Sequence, residues 1–211
     1  FYMDKLRSVL DKIRAVDRSK DETIQKRLDN LTKPKDSLGR LEEFAKRICA
    51  ITGKENPNLS RKVIVTMAGD HGVTEEGVSA YPKEVTAQMV YNFLRGGAGI
   101  NVLARHVSAK VIVVDMGVAQ DLKYHPDLIV KKVGKGTSNF AKGPAMTREQ
   151  AICSLSAGIE VIEEIIADTG IDILGTGEMG IGNTTASSAI TSAITGLPVL
   201  EVTGRGTGID D

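Results

Sequence analysis

The sequence predicts an α/β fold: a parallel sheet flanked by helices in a Rossmann-like three-layer arrangement, with a small N-terminal helical unit in front of it. Three observations lead there. "KVIVTMAG", "AKVIVVDMG", "DILGTG" and "LPVLEVTG" are short continuous apolar runs, as expected for strands buried on both faces. Helical spacing fills the stretches between them, at Pro82 to Leu94, Gly99 to His106, Thr147 to Asp168 and Asn183 to Thr195. Strands alternating with helices call for a parallel sheet with right-handed crossovers. Finally, the chain before the linker "GKENPNLS" holds only helical periodicity.

In chain order, Leu6, Val9, Leu10, Ile13 and Val16 keep the spacing of a first helix. A second follows Ser19-x-x-Glu22, which has the form of a capping box, and runs through Ile24, Leu28 and Leu31 until Pro34 stops it. A third spans Ser37 to Gly53, with Leu41, Phe44, Ala45 and Ile48 on one face. The expected division is therefore a helical unit over 1–55 and an α/β domain over 56–211.

The composition excludes several classes. Hydrophobic residues at 41% suffice to bury a core in a chain of 211 residues. Twenty-seven basic residues against 27 acidic ones give no footprint for nucleic acid or an anionic membrane. No apolar run approaches a membrane span, and the N-terminus lacks a signal-peptide layout. Cys49 and Cys153 sit apart in helical patterns and read as free thiols, which fits a cytoplasmic protein.

In a parallel sheet, ligands bind beyond the carboxyl ends of the strands. Those ends read "AGDHGV", "DMGVA", "GTGEMGIGN" and "TGRGTGIDD", and they are expected to converge on one site. The third contains a literal G-x-G-x-x-G at Gly175, Gly177 and Gly180. A dinucleotide reading, with Glu201 as the ribose-binding acid, would make the protein an NAD-dependent oxidoreductase. Glu178 inside the turn argues against it, because its charge opposes a pyrophosphate. The alternative is a single-phosphate cradle, in which Gly182, Asn183, Thr184 and Thr185 present N–H groups and hydroxyls at a helix start. Glu178 then faces a sugar hydroxyl or an azole N–H.

Asp70 and His71 follow a strand, and with only His106 and His125 besides, neither at ligand spacing, they read as a pocket-lining turn rather than a metal site. Tyr81 and Gln88 lie where they could hold a flat ring. Lys131, Lys132, Lys135 and Lys142 form a basic stretch, either simply solvated or steering phosphate.

Together, "LTKPKDSLGRLEEFA", "AGDHGVTEEGVSAYPKEVTAQMV", "GGAGINVLAR", "GTSNFAKGPAM", "GEMGIGNTT" and "VTGRGTGIDD" resemble, in order, the nicotinate-nucleotide–dimethylbenzimidazole phosphoribosyltransferases of cobalamin lower-ligand assembly. One departure is Asp36, where a Gly is more usual. The resemblance implies transfer of 5-phosphoribose from nicotinate mononucleotide to 5,6-dimethylbenzimidazole, giving α-ribazole 5′-phosphate and nicotinate, with no cofactor and no metal. It implies a catalytic role for Glu178. It places Ser79, Tyr81, Gln88, Met179 and Ile181 at the benzimidazole, and Gly180, Gly182, Asn183, Thr184, Thr185, Gly204, Arg205 and Gly206 at the nucleotide and its phosphate. It also implies a cytoplasmic homodimer acting on small molecules. Family members run past "GTGIDD", and their general-base glutamate lies in that further part. The chain is therefore expected to be an N-terminal portion, not fully active alone, and a nucleotide-binding remnant without turnover stands as a rival reading.

Overall fold

A computed structural model describes residues 2–208; Phe1 and the last three residues of the "VTGRGTGIDD" segment lie outside the described residues. The chain divides into two compact units, Arg7–Ser60 and the remainder, which joins the first six residues to everything from Arg61 onward.

In the smaller unit the helices are shorter than their sequence patterns. Helix α1 (Tyr2–Leu10) begins in the larger unit and ends well before Val16. Bonds from Lys12 to the Val9 carbonyl and from Ile13 to the Leu10 carbonyl tighten its last turn. Helix α2 (Asp21–Asp29) starts without a side-chain cap. The Ser19 capping box does not form, because the Ser19 N–H is taken by Asp17 Oδ1 at 2.8 Å in a local turn. Helix α3 (Arg40–Thr52) ends at Gly53 in the left-handed conformation, which costs a glycine no side-chain clash. Asp36 has φ +59°, a conformation that the family's more usual glycine adopts without strain. Asp is among the few side chains that tolerate this region.

The larger unit is built on four parallel strands in the order β3-β2-β1-β4. Strands β1 (Lys62–Gly69) and β2 (Ala109–Gly117) pair in the centre, β3 (Leu128–Val130) flanks β2, and β4 (Ile173–Met179) flanks β1. Alternate side chains point to opposite faces. Val63, Val65, Ile112 and Val114 pack under Val161 and Ile165 of helix α6 (Arg148–Asp168). On the other face, Ala68 and Val113 meet Ala87, Val90 and Phe93 of helix α4 (Val85–Leu94). Helix α5 (Gly99–His106) completes the β1-to-β2 connection. Helices thus cover both faces, which is why the central strands read as unbroken apolar runs. Helix α6 opens with a true capping box: the Gln150 N–H donates to Thr147 Oγ1, and the Thr147 N–H to Gln150 Oε1.

Two expectations change. Strand β3 escaped the sequence reading because three residues are too few to show a pattern. "LPVLEVTG", read as a strand, forms a short helix α8 (Val199–Val202), opened by Pro198 at its N-cap with the Glu201 N–H on the Pro198 carbonyl. It follows helix α7 (Asn183–Thr195).

The topology fixes where a ligand can sit. From β1 the chain steps outward to β2 and β3, then returns over the sheet through α6 to place β4 on the other side of β1. β1 and β4 are thus neighbours whose carboxyl ends lie side by side at the point where the strand order reverses, which is where parallel sheets bind ligands.

Candidate functional site

A cavity of about 280 Å³ forms a crevice there, on the α6 side. Asp70 and His71 come from the end of β1, Gly117 from the end of β2, Glu178 from the end of β4, and Asn183 from the start of α7. Met67, Met116 and Met146 supply apolar wall, and the loop carrying Gly134, Gly136, Thr137 and Ser138 closes it.

The register explains which residues meet. Glu178 pairs with Met67 across β1 and β4, so both side chains face the α6 side and the cavity. Gly175 and Gly177 are strand residues rather than turn residues, lying beside Ile64 and Thr66. A Cβ on either would come within 3.2 Å of Ile64 Cγ1 or 3.1 Å of Thr66 Oγ1. They are small to let neighbouring side chains lean over β4, which removes the turn that a dinucleotide fingerprint requires.

The turn proper is Gly180 to Gly182. A Cβ on Gly180 would overlap the Gly69 carbonyl oxygen and lie 2.9 Å from His71 Nε2. Gly182, with φ +86°, is the N-cap of α7 and sits close to Val73 and Thr74. The Ile181 N–H donates to the buried Thr86 Oγ1 at 3.1 Å, tying the turn to α4. Asn183, Thr184 and Thr185 form the first turn of α7; the Asn183 N–H donates to the Gly180 carbonyl at 2.9 Å, while Thr184 and Thr185 stand where helix geometry offers an N–H no intrahelical acceptor.

Asp70 is the clamp on the opposite wall. Its backbone N–H donates to the Gly117 carbonyl, its carbonyl accepts from the Thr137 N–H, and Oδ2 accepts from the Ala119 N–H at 2.7 Å. The sequence reading of a hydrogen-bonded, pocket-lining Asp matches this geometry. Burial pushes the His71 pKa down, against the opposing pull of the Asp70 charge and a hydrogen bond with Asn183. Desolvation by the cavity wall pushes the Glu178 pKa up, partly offset by a hydrogen bond with Asn183.

Other residues singled out by sequence lie elsewhere. Met179, one position along from Glu178, points to the opposite face and packs on the α4 core, and Ile181 is buried. Ser79 and Tyr81 line a separate depression with Thr74, Glu75, Lys83 and Glu84, and Tyr81 is exposed. Gln88 is exposed on α4. Gly204, Arg205 and Gly206 form an exposed loop, and Thr207 of that loop accepts the Ala80 N–H at 3.0 Å. The structure thus joins the Ser79–Tyr81 segment to the 204–206 loop, and Glu178 to Asn183, as two groups. The four lysines are engaged: Lys131 with Glu160 and Glu164, Lys132 with buried Asp115, Lys135 with Asp121, Lys142 with Glu75 and Glu76. Of the further lining, Met67 was missed, while Met116 lies in the "DMGVA" strand end and Gly136 to Ser138 with Met146 in the "GTSNFAKGPAM" segment, neither of which had been given individual site residues.

Fold and site define an α/β protein with a cavity at the switch point of a parallel sheet, lined by the ends of β1 and β4 and the start of α7. Comparison with known proteins narrows this class. A phosphoribosyltransferase family profile matches residues 13–211, and the chain belongs to that family. It is 62% identical over 209 residues to a nicotinate-nucleotide–dimethylbenzimidazole phosphoribosyltransferase of Geobacter sulfurreducens, covering 99% of this chain and 59% of the relative. The enzyme of the same name from Chloroflexus aggregans is 56% identical over the same length, again with 59% of the relative covered. The crystal structure of CobT from Thermus thermophilus matches with TM-score 0.86 and 51% identity, over 90% of this chain and 57% of that one. The chain therefore spans about three fifths of the length of the curated relatives it matches. Among the described residues, no helix is long and apolar enough to cross a membrane.

Proposed function

We propose that the protein transfers 5-phosphoribose from nicotinate mononucleotide to 5,6-dimethylbenzimidazole, releasing nicotinate and forming α-ribazole 5′-phosphate for cobalamin assembly. The observation that carries this reading is the switch-point cavity, where Glu178 and the α7 start meet on the one wall that also bears the family's "GEMGIGNTT" segment. The relatives' names agree with it.

The chemistry needs little more than orientation and charge. The bond from C1′ to the pyridinium nitrogen breaks, its electron pair returns to the ring, and nicotinate leaves without needing a proton. One azole nitrogen forms the new bond to C1′, and the N–H proton of the other passes to a carboxylate base. In this reading the Glu178 carboxylate stabilises the positive charge that develops at C1′. The α7 start, from Gly182 to Thr185, receives the phosphate, with the Thr184 and Thr185 N–H groups as its donors and Gly204, Arg205 and Gly206 as a second phosphate loop. Ser79, Tyr81, Gln88, Met179 and Ile181 are the residues that the family resemblance assigns to the benzimidazole. The same reading makes the active protein a cytoplasmic homodimer, which sedimentation equilibrium tests directly.

Calorimetric titration with nicotinate mononucleotide, with NAD as comparison, tests the ligand class. Preference for the mononucleotide supports the proposal, and preference for NAD overturns it. Chromatographic detection of α-ribazole phosphate then separates turnover from binding alone.

A further inference from the structure

Gly134 to Ser138, which form one wall of the cavity, lie in the loop between β3 and α6. The segment from Ser138 to Ala145 is closed on itself, with the Ser138 N–H on the Ala145 carbonyl at 2.8 Å and the Lys142 N–H on the Asn139 carbonyl at 3.0 Å. A short helical turn after β1, Gly72–Glu76, fastens this loop to the sheet. The Gly72 N–H donates to Thr137 Oγ1 at 3.2 Å, and the Thr137 N–H donates to the Asp70 carbonyl at 3.0 Å. Here the two backbones meet: a Cβ on Gly72 would lie 2.5 Å from the Asn139 nitrogen. Asn139 itself is 7% exposed, and its side chain bridges the two segments. Oδ1 accepts the Ala141 N–H at 3.0 Å, while Nδ2 donates to Glu76 Oε1 at 2.5 Å and to Glu75 Oε2 at 3.4 Å. Carboxylates only accept, so this is the one orientation of the amide that satisfies every group. Lys142 closes the clasp from outside, 2.8 Å from Glu75 Oε2. The same helical turn also presses on the opposite wall, where Thr74 Cγ2 and Val73 Cγ1 stand 3.2 and 3.3 Å from the place of a Cβ on Gly182.

We propose that Asn139 is a positioning residue: by bridging to Glu75 and Glu76 it sets the Gly134 to Ser138 wall at a fixed distance from the Gly182 turn, with the Gly72–Glu76 turn as the spacer between them. The proposal rests on the phosphoribosyl-transfer reading and names what keeps the two walls of its nucleotide cavity in register. A loop has no ladder of its own to hold it, so its order depends on such outside bonds. The donor is a buried neutral amide and both acceptors are charged, which makes this the stronger class of hydrogen bond. Gly136 already touches Asp70, since a Cβ there would lie 3.2 Å from the Asp70 carbonyl oxygen. The wall therefore has no slack toward β1, and the clasp removes its slack in the other direction.

The test exchanges donor and acceptor across the contact. Asn139→Asp keeps an oxygen for the Ala141 N–H, but it removes the donor and sets a third carboxylate against Glu75 and Glu76. Nicotinate mononucleotide affinity, measured by calorimetry, should fall about tenfold. Adding Glu76→Gln to Asn139→Asp returns a donor from the other side and should restore the affinity, which a role confined to the Ala141 turn would not do. In amide spectra of the ligand-free chain, Gly136 to Ser138 and Gly182 should shift in Asn139→Asp and return in the double variant. Unchanged affinity in Asn139→Asp overturns the proposal, and so does a loss that the exchange fails to repair. If Asn139→Asp does not fold, the double variant Glu75→Ala/Glu76→Ala removes both acceptors from exposed positions and decides by the same affinity and spectra. Failure of the wild-type chain to bind the mononucleotide would count against the phosphoribosyl reading. The amide spectra would still decide the clasp, with an unmoved Gly182 in Asn139→Asp overturning it.

Discussion

Helices α4 and α7 both border β4-side features of the site, yet they are held in opposite ways. Helix α4 buries Thr86, Ala87, Val90 and Phe93 against the sheet, and Val90 is wholly inaccessible. Helix α7 buries nothing, Ile194 is 80% exposed, and Leu200 of the following α8 is 93% exposed. The glycine turn that starts α7 is therefore not fixed by its own helix. It is fixed from outside: by the Thr86 hydroxyl, by the Gly69 carbonyl and His71 ring against Gly180, and by Val73 and Thr74 against Gly182. The lesson is that the motif-bearing segment takes its order from the end of β1, the turn that follows it and α4, none of which carries a glycine fingerprint.

The largest expected effect separates the two helices directly. Phe93→Ala should cost about 3–5 kcal/mol in urea unfolding, whereas Ile194→Ala should stay within about 0.5 kcal/mol. Equal costs would break the comparison. Next comes Gly180→Ala, whose methyl meets backbone at Gly69 and the His71 ring, so something must shift. It should destabilise by about 1–3 kcal/mol and sharply weaken nicotinate mononucleotide binding. An unaffected variant would show that the turn is not pressed against β1.

Thr86→Val keeps the shape but removes the acceptor of the buried Ile181 N–H. A loss of about 1–3 kcal/mol is expected, with Thr86→Ser smaller, both read from chemical unfolding. The pH dependence sharpens the account of His71. Its folded pKa is depressed, so the folded state binds fewer protons than the unfolded one in acid. Its contribution to stability is present above the ordinary histidine value of 6.5 and is lost as pH falls through the folded value. Glu178 acts in the opposite sense: its folded pKa is raised, so stability is lost as pH rises from 4.5 through that value. Midpoints of thermal melting should rise less steeply as pH climbs toward 6.5 in His71→Gln than in the wild type. The smallest effect lies in the other unit: Asp36→Gly, at φ +59°, should stabilise by roughly 0.5–1 kcal/mol.

How much of this could be read from the sequence follows from how local each signal is. Strands β1 and β2 announced themselves because burial on both faces leaves them uniformly apolar, and α6 because its helical spacing runs unbroken from Thr147 to Asp168. The end of "LPVLEVTG" misled because β-branched residues favour a strand, while Pro198 and the chain around it open a helical turn instead. Asp70 and His71 were legible as pocket residues from their place after a strand. The pairing of Glu178 with Met67, and hence the separation of Glu178 from Met179 onto opposite faces, depends on register between strands far apart in sequence. No local pattern carries that. Gly175 and Gly177 show the same limit, since the literal motif looks identical whether its glycines lie in a turn or in a strand.

The most direct test of the central claim, that the crevice between β1 and β4 is the nucleotide site, is amide chemical-shift mapping of the chain titrated with nicotinate mononucleotide. The structure predicts that the largest changes fall at Gly69 to His71, Glu178 to Asn183 and the Gly134 to Ser138 loop. Changes confined to the Ser79–Tyr81 depression, with the crevice silent, would contradict it.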